Sequence, residues 1–527
     1  MDKTAEATDA DVEKEAAMGT RVETCLRAGV AGLVSVLAGV AVGELVTLPI
    51  SGDASPYQAV AAFLVDHAPA FAREFAIDTF GTADKTALMI GVGAVLVVLA
   101  IVAGLLQAWR PHWGLAIVAL FAAFGVVAAV TRPTMEPAFV IPPLVAGLVS
   151  GVALVVLCRG AAPRVSEGKN GGWSRRQFIG AVGVLTAVAA LSAVVARQAG
   201  RAGDIMAERL RLKLPTPTST AAPVPAGVDV DVDGVTSFLS DNATFYRIDT
   251  ALQVPRLSTA DWRLRIHGMV DREITLTWDD LIAVPAIERI ITLTCVSNEV
   301  GGDLAGNARW LGMPMKDILT QVGIRTDADM LLSTSVDGWT SGTSLADITD
   351  GRDALLAVGM NGEALPLEHG YPVRQVVPGL YGFVSACKWV VDWEITRFDR
   401  ARAYWTDRGW GVRAPIKTAS RIDRPAPLSR QPAGRVVVAG TAWAQHRGIS
   451  TVEVRVDDGP WQPADLAPQY SIDTWRQWVF GWDARPGQHT LYCRATDAAG
   501  RTQPEQRVAP IPDGATGWHS RVFLVEG

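Results

Sequence analysis

The sequence predicts three successive parts: a helical membrane region of five spans, an α+β domain, and a C-terminal all-β sandwich. Three observations carry this. Long uncharged apolar runs are confined to the first 200 residues, short strands mix with short helical patches in the middle, and apolar and polar residues alternate between Asp-Gly and Ala-Gly turns at the end. A chain of 527 residues is too long for one core. Apolar residues make up 49% and charged residues only 19%, and the N-terminal runs account for the excess.

Apolar runs occur at 28–43, continuing past Glu44 to Ile50, and at 86–109, 113–131, 138–158 and 178–196. Each approaches or exceeds the roughly 18 to 20 residues that cross a bilayer core as a helix. Residues 1–24 then form a cytoplasmic tail and 25–197 the five-helix region. Lys3, Lys14, Arg21, Arg27, Arg110, Arg159, Arg164, Lys169, Arg175 and Arg176 fall on one side, against Arg73, Lys85 and Arg132 on the other. That bias puts the N-terminus inside and everything after the fifth span outside the cytoplasm, on the cell membrane with lipid as a partner. Glu44, near the outer end of its span, is expected to be exposed. A haem between helices needs paired axial ligands, and the region offers only His67 in an outer loop and His112 at a helix edge, so no intrinsic haem is expected. The net charge of -6 argues against nucleic acid as a partner.

Just before the fifth run, within 174–180, Ser174-Arg175-Arg176-Gln177-Phe178-Ile179 resembles the twin-arginine export motif, and the helix behind it is rich in Ala and Gly. Such a signal implies a domain that folds around a cofactor before export. Residues 198–235 read as a linker, with the Pro/Thr/Ala-rich stretch 211–227 as an extended tether. From 236 to 415, strands such as Trp262 to Ile266 and Glu273 to Thr277 alternate with helical patches such as Met315 to Val322. From 424 to 527, RVVVAGTAW, TVEVRVDDGPW, RQWVFGW and HTLYCRATDAAG read as strands of an immunoglobulin-like sandwich.

Of five cysteines, Cys25 and Cys158 sit at the cytoplasmic ends of spans, leaving Cys295, Cys387 and Cys493 in the exported part. An odd number without repeated spacing predicts no disulfide framework. Cys493 in a strand and Cys387 beside Lys388 are expected as buried small residues. Cys295 differs: the β-branched run Ile290 to Thr294 carries it to a strand end, and a glycine-rich loop follows. That placement suits chemistry as well as packing.

Residues 236 to 527 resemble the sulfite oxidase family of molybdenum enzymes. The order of features agrees: NATFYRIDTALQVP, WRLRIHG, TLTCVSNEVGG, ARWLGMPMKDIL, MNGEALPLEHGYPVRQVVPGLYG and CKWV, then GTAWAQHRG, VRVDDG and GWHSRVFLVEG in a unit that looks like the family's dimerisation domain. Nothing resembling the haem domain of the animal enzymes is present. The resemblance implies a molybdenum-molybdopterin cofactor whose single protein ligand is the thiolate of Cys295, which fits the lack of a CxxC or His cluster. It also puts Asn242, Phe245, Tyr246, Arg247, His369, Arg374, Ser385 and Lys388 on the cofactor, with the basic residues facing its phosphate.

This sequence departs from the family where an anionic substrate would bind: Asn298 is followed by Glu299 and Val300, not by two arginines. Asp249 stands where a histidine is expected, and one extra residue separates Ser385 from Lys388. Arg309 and Arg408 are the candidates for the substrate side, with Tyr404 weaker. The resemblance implies two-electron oxygen-atom transfer on a small, sulfur-containing substrate, electron exchange with a separate membrane haem protein or cytochrome, and a homodimer. The competing reading is a cofactor-free membrane-anchored binding or adhesion protein on a degenerate oxidoreductase fold. A cysteine hydrolase built on Cys295 and His369 lacks any supporting nucleophile motif.

Overall fold

A computed structural model describes residues 3–50, 54–69, 72, 75, 79–80, 84–132, 135–161, 173–199 and 202–527. The chain forms two compact units, Met1–Arg201 and Ala202–Gly527. Among the described residues of the first, four helices are long and apolar enough to cross a membrane: Arg21–Val46, Lys85–Trp109, Trp113–Val130 and Pro137–Gly160. The fifth expected span falls within the helix Arg175–Ala199, of which the side chains at 193 and 196–199 lie outside the described residues. Ser174 starts this helix: its Oγ accepts from the Gln177 N–H at 3.2 Å while the Gln177 side chain accepts from the Ser174 N–H at 2.9 Å, a reciprocal cap. Arg73, Arg164 and Lys169, used to orient the chain, lie outside the described residues.

Small residues let the first unit's helices touch. A Cβ on Gly32 would come within 2.1 Å of the Ala100 carbonyl oxygen, and one on Gly104 within 2.0 Å of that of Ala28. Glu44 corrects the expectation of an exposed carboxylate. It is half-buried and accepts a 2.7 Å bond from the Ser55 hydroxyl, because the chain folds back to start the helix Pro56–His67 beside it.

The second unit begins with β1 (Arg263–Gly268), β2 (Ile274–Thr277), β3 (Ile287–Thr294), β4 (Ala305–Pro314) and β5 (Met330–Ser335). It continues with β6 (Thr340–Ser344), β7 (Leu355–Met360), β8 (Glu363–Ala364), β9 (Arg374–Val376) and β10 (Val390–Thr396). These strands form two sheets, ordered β2-β1-β10-β5-β6 and β3-β4-β7-β8, with β9 also paired to β7. Strands and short helices intermix as the α+β pattern predicts, and a core containing Trp262, Leu331, Leu356 and Trp393 lies within this part.

The C-terminal strands are β11 (Ala419–Arg424), β12 (Arg430–Pro432), β13 (Gly434–Trp443), β14 (Ile449–Val456), β15 (Gln462–Pro463), β16 (Asp465–Leu466), β17 (Arg476–Ala484), β18 (Gly487–Asp497) and β19 (His519–Glu526). They make sheets ordered β11-β13-β17-β16 and β12-β19-β18-β14-β15, whose inward residues, among them Val438, Val454, Trp478 and Cys493, share one core. Cys493 and Cys387 are both fully buried.

The tether expected at 211–227 is not free. A helix, Ala202–Arg211, precedes it, and Arg209 donates to the Leu365 and Ala364 carbonyls at 2.8 Å. Further on, the Thr218 N–H donates to the Ala286 carbonyl and the Glu288 N–H to the Ser219 carbonyl, both at 2.8 Å. The physical reason is that β3 is the outer strand of its sheet. An extended Pro- and Thr-rich chain presents backbone groups able to pair with that open edge.

Candidate functional site

Cys295 stands directly after β3 and is 8% exposed. Its N–H donates to the Leu304 carbonyl at 2.9 Å, and the Asn298 side chain accepts from the Leu304 N–H at 2.9 Å, so the loop closes on itself. Gly301, at φ 81°, turns the chain back; a Cβ there would meet the His519 ring at 2.2 Å. Burial pushes the Cys295 thiol up, opposed by hydrogen bonds from Ser297 and Val296. The thiol is therefore protonated at neutral pH, and a metal binding there releases a proton. Among the described residues, no three His, Cys, Asp or Glu side chains gather in a metal-binding cluster.

Behind the cysteine lies a buried basic cluster. Arg374 and Lys388 pair across a backbone bridge that sets both side chains on one side. Arg374 is 5% exposed and donates to the His369 carbonyl at 3.1 Å, with its guanidinium 5.0 Å from the Trp310 ring centre. Its contacts are neutral, and among the described residues it forms no ion pair. Lys388 bonds Asp249 at 2.7 Å and the Glu368 carbonyl at 3.1 Å, and Arg247 bonds the same Asp249 at 2.8 Å. Desolvation lowers Lys388 to about 8, against the pull of Asp249. His369 is lowered to about 4 by burial first and by Arg374 next, and it contacts the Asn242 carbonyl at 3.1 Å. Phe245 stacks on Tyr246 at 5.2 Å and meets His369 edge-on at 5.5 Å. Tyr246 links cluster to cysteine: burial raises its phenol, with Cys295 raising it further and Arg374 opposing.

In front of the cysteine loop, a cleft against the C-terminal strands is lined by residues including Asn298, Glu299, Tyr381, Ser420, Gln503 and Thr516, and by no arginine or lysine among the described residues. Burial pushes Tyr381 up to about 12, with Asp513 and Cys295 adding to the rise. Sequence reasoning passed over Tyr381 and Gln503. Tyr381 lay within a quoted motif, and only its fold-back beside Cys295 marks it; nothing in the pattern around Gln503 signals a cleft.

The structure thus gathers Asn242, Phe245, Tyr246, Arg247, His369, Arg374 and Lys388, and it separates others. Arg309 is opposite Ile290 in the β3–β4 pair, roughly 15 Å along the strand from Cys295, and forms an ion pair with Glu288 at 3.0 Å. That pairing ties its guanidinium to β3. The Ser385 hydroxyl donates to the Leu380 and Tyr381 carbonyls at 3.2 and 2.9 Å, which ties it to its own helical turn. Arg408 lies 3.6 Å over the Tyr404 ring, in a segment where Trp410 packs on Phe383, two residues from Tyr381.

Residues 251–405 match the family described as oxidoreductase molybdopterin binding domain. Rat mitochondrial sulfite oxidase is 30% identical over 332 residues, 52% of this chain and 59% of that protein. An uncharacterized oxidoreductase of Bacillus subtilis, YuiH, is 32% identical over 152 residues, 29% of this chain and 73% of that protein. The chain belongs to the sulfite oxidase family of molybdopterin oxidoreductases. It spans about three-fifths of the mammalian sulfite oxidases it matches. Among solved structures, the sulfane dehydrogenase SoxCD of Paracoccus pantotrophus is similar at 23% identity, over 56% of this chain and 85% of that one, with a TM-score of 0.49.

The matched family model is that of a molybdopterin-binding oxidoreductase domain, and the residues of this chain fit the cofactor it names. A buried arginine without a carboxylate partner is costly to keep unless an anion joins it. Arg374 beside Lys388 offers such a place to the cofactor's phosphate, and Cys295 offers one soft thiolate.

Proposed function

We propose that this protein is a membrane-anchored, extracytoplasmic molybdenum oxidoreductase that moves one oxygen atom to or from a small sulfur-containing substrate. Five spans and the twin-arginine segment anchor and export it, and an immunoglobulin-like unit follows the catalytic domain. Cys295 is the metal's protein ligand. Arg374, Lys388, Arg247, His369, Asn242, Phe245 and Tyr246 hold the pterin and its phosphate. When bound, the cofactor supplies the two-electron oxygen-transfer chemistry. Cys295 gives up its proton on coordination. Arg374 and Lys388 neutralise the phosphate, while uncharged His369, donating from Nε2 to the Asn242 carbonyl, keeps Nδ1 as an acceptor for one hydrogen bond. Tyr381, protonated at neutral pH, donates toward an oxygen in the cleft. Electrons pass to or from a separate haem protein or cytochrome.

The observation that carries this reading is the buried thiol at the end of β3, with the basic cluster behind it. The described cleft lining contains Glu299 and no arginine or lysine, which supports an uncharged sulfur compound, such as an S-oxide, over the sulfite dianion. Metal analysis of the purified protein tests the first part, and about one molybdenum per chain is expected. Steady-state assays with sulfite, sulfoxides and N-oxides, using artificial electron donors and acceptors, test the second. Turnover with sulfite alone refutes the uncharged-substrate reading, and absence of molybdenum refutes the whole.

A further inference from the structure

We infer that the C-terminal β unit positions the metal-binding cysteine, through Gln445, Arg421 and His519, so that the loop carrying Cys295 is held in place from outside its own domain. This rests on the reading of Cys295 as the metal's ligand.

β3 is an edge strand, and an edge leaves N–H and C=O groups that need partners. Its beginning is covered by residues 218 and 219. Its end, which leads into Cys295, is covered by the C-terminal unit. The Thr292 N–H donates to the Asp473 carbonyl at 2.9 Å. Gln445, fully buried, donates from one amide nitrogen to the Thr292 carbonyl at 3.1 Å and to the Thr294 hydroxyl at 3.0 Å. The Trp475 N–H donates to the Thr292 hydroxyl at 2.8 Å.

Beyond the cysteine the same unit grips the loop again. Arg421, 5% exposed, donates to the Gly302 carbonyl and the Thr236 hydroxyl at 2.8 Å each and pairs with Asp423 at 2.6 Å, so all three of its nitrogens are engaged. His519 packs its ring on Gly301 and is fixed by accepting the Ile422 N–H at 2.9 Å. The thiol's own hydrogen bonds come from within the loop. Gln445, Arg421 and His519 are therefore positioning residues, acting through Thr292, Thr294, Gly301 and Gly302.

The test measures iodoacetamide labelling of each cysteine in the cofactor-free full chain, read by mass spectrometry. Cys387 and Cys493, both fully buried, serve as internal controls. Gln445→Met keeps the volume and removes both hydrogen bonds, and the Gln445 amide oxygen has no hydrogen-bond partner to lose. Losing one or two such bonds is expected to open the loop about tenfold more often, and to speed Cys295 labelling by that factor while the controls stay constant. Arg421→Lys, which keeps the charge beside Asp423 but cannot serve three acceptors, is expected to fall between wild type and Gln445→Met. Unchanged Cys295 labelling in both variants overturns the inference, as does equal acceleration of all three thiols, which reports global loosening. The labelling involves no metal, so a Cys295→Ser protein that kept its molybdenum signature would remove the ligand reading while the positioning result stood.

Discussion

The buried basic cluster around Arg374 and Lys388 and the cleft beside the Cys295 loop are charged differently. In the cluster, Arg247 and Lys388 share one carboxylate, Asp249, while Arg374 stands beside a neutral histidine and bonds only carbonyls. In the cleft, the described lining holds Glu299 and neutral polar groups such as Asn298, Tyr381 and Gln503. Buried positive charge requires either a fixed acid or a bound anion, so the basic cluster suits a ligand that stays. The cleft makes no such demand, and what enters it is recognised by hydrogen bonding and shape.

The largest expected effect comes from the thiol of Cys295. Cys295→Ser should abolish the metal's thiolate spectroscopic signature and lower turnover more than about a hundredfold, because a direct ligand exceeds the roughly 10- to 100-fold worth of outer-shell partners. Metal content and steady-state rates check this. Behind the cysteine, Arg374→Met should weaken retention of molybdenum by roughly 10- to 100-fold, the value of a charge-assisted hydrogen bond or two. Dialysis followed by elemental analysis measures it, and Arg374→Lys should recover part of the loss.

The third effect is a pH dependence. His369 is lowered from 6.5 to about 4 in the folded chain. Between those values the unfolded state binds more protons, so stability falls as pH drops from 6.5 toward 4. In the cofactor-free protein the loss amounts to about 3 kcal/mol at pH 4. His369→Gln, which keeps a donor toward the Asn242 carbonyl, should flatten that part of a denaturation profile. The slope that remains belongs in part to His519, lowered to about 3 by burial and by Arg521, Arg421 and Arg507. The smallest effect is in the cleft. Glu299→Arg should lower the KM for sulfite by roughly five- to tenfold at low salt, and the gain should shrink as salt is added.

Much of this was legible in the sequence because it follows local rules. The β-branched run before Cys295 forms a strand that ends at the cysteine, and the alternating runs after 424 form two sheets around one core. Residues 242–247, 369, 374 and 388 converge although no spacing rule joins them; resemblance to the family carried that expectation. What stayed hidden was partner choice across long sequence separations. Asp249 was visible as a departure from the family pattern, but its bond to Lys388 was not. Arg309 looked available until Glu288, on the neighbouring strand, claimed it. The proline-rich stretch after 211 carries the composition of a free tether, and composition cannot reveal that an open sheet edge waits beside it.

Gly301 has no room for a methyl group because the His519 ring fills the space above it. Bulk arriving at 301 thus meets two obstacles at once, the ring of a residue far along the chain and a left-handed backbone. A smaller residue at 519 opens the space but leaves the backbone strain, so genetic suppressors of a lesion at 301 that map to the final strand should restore function only in part.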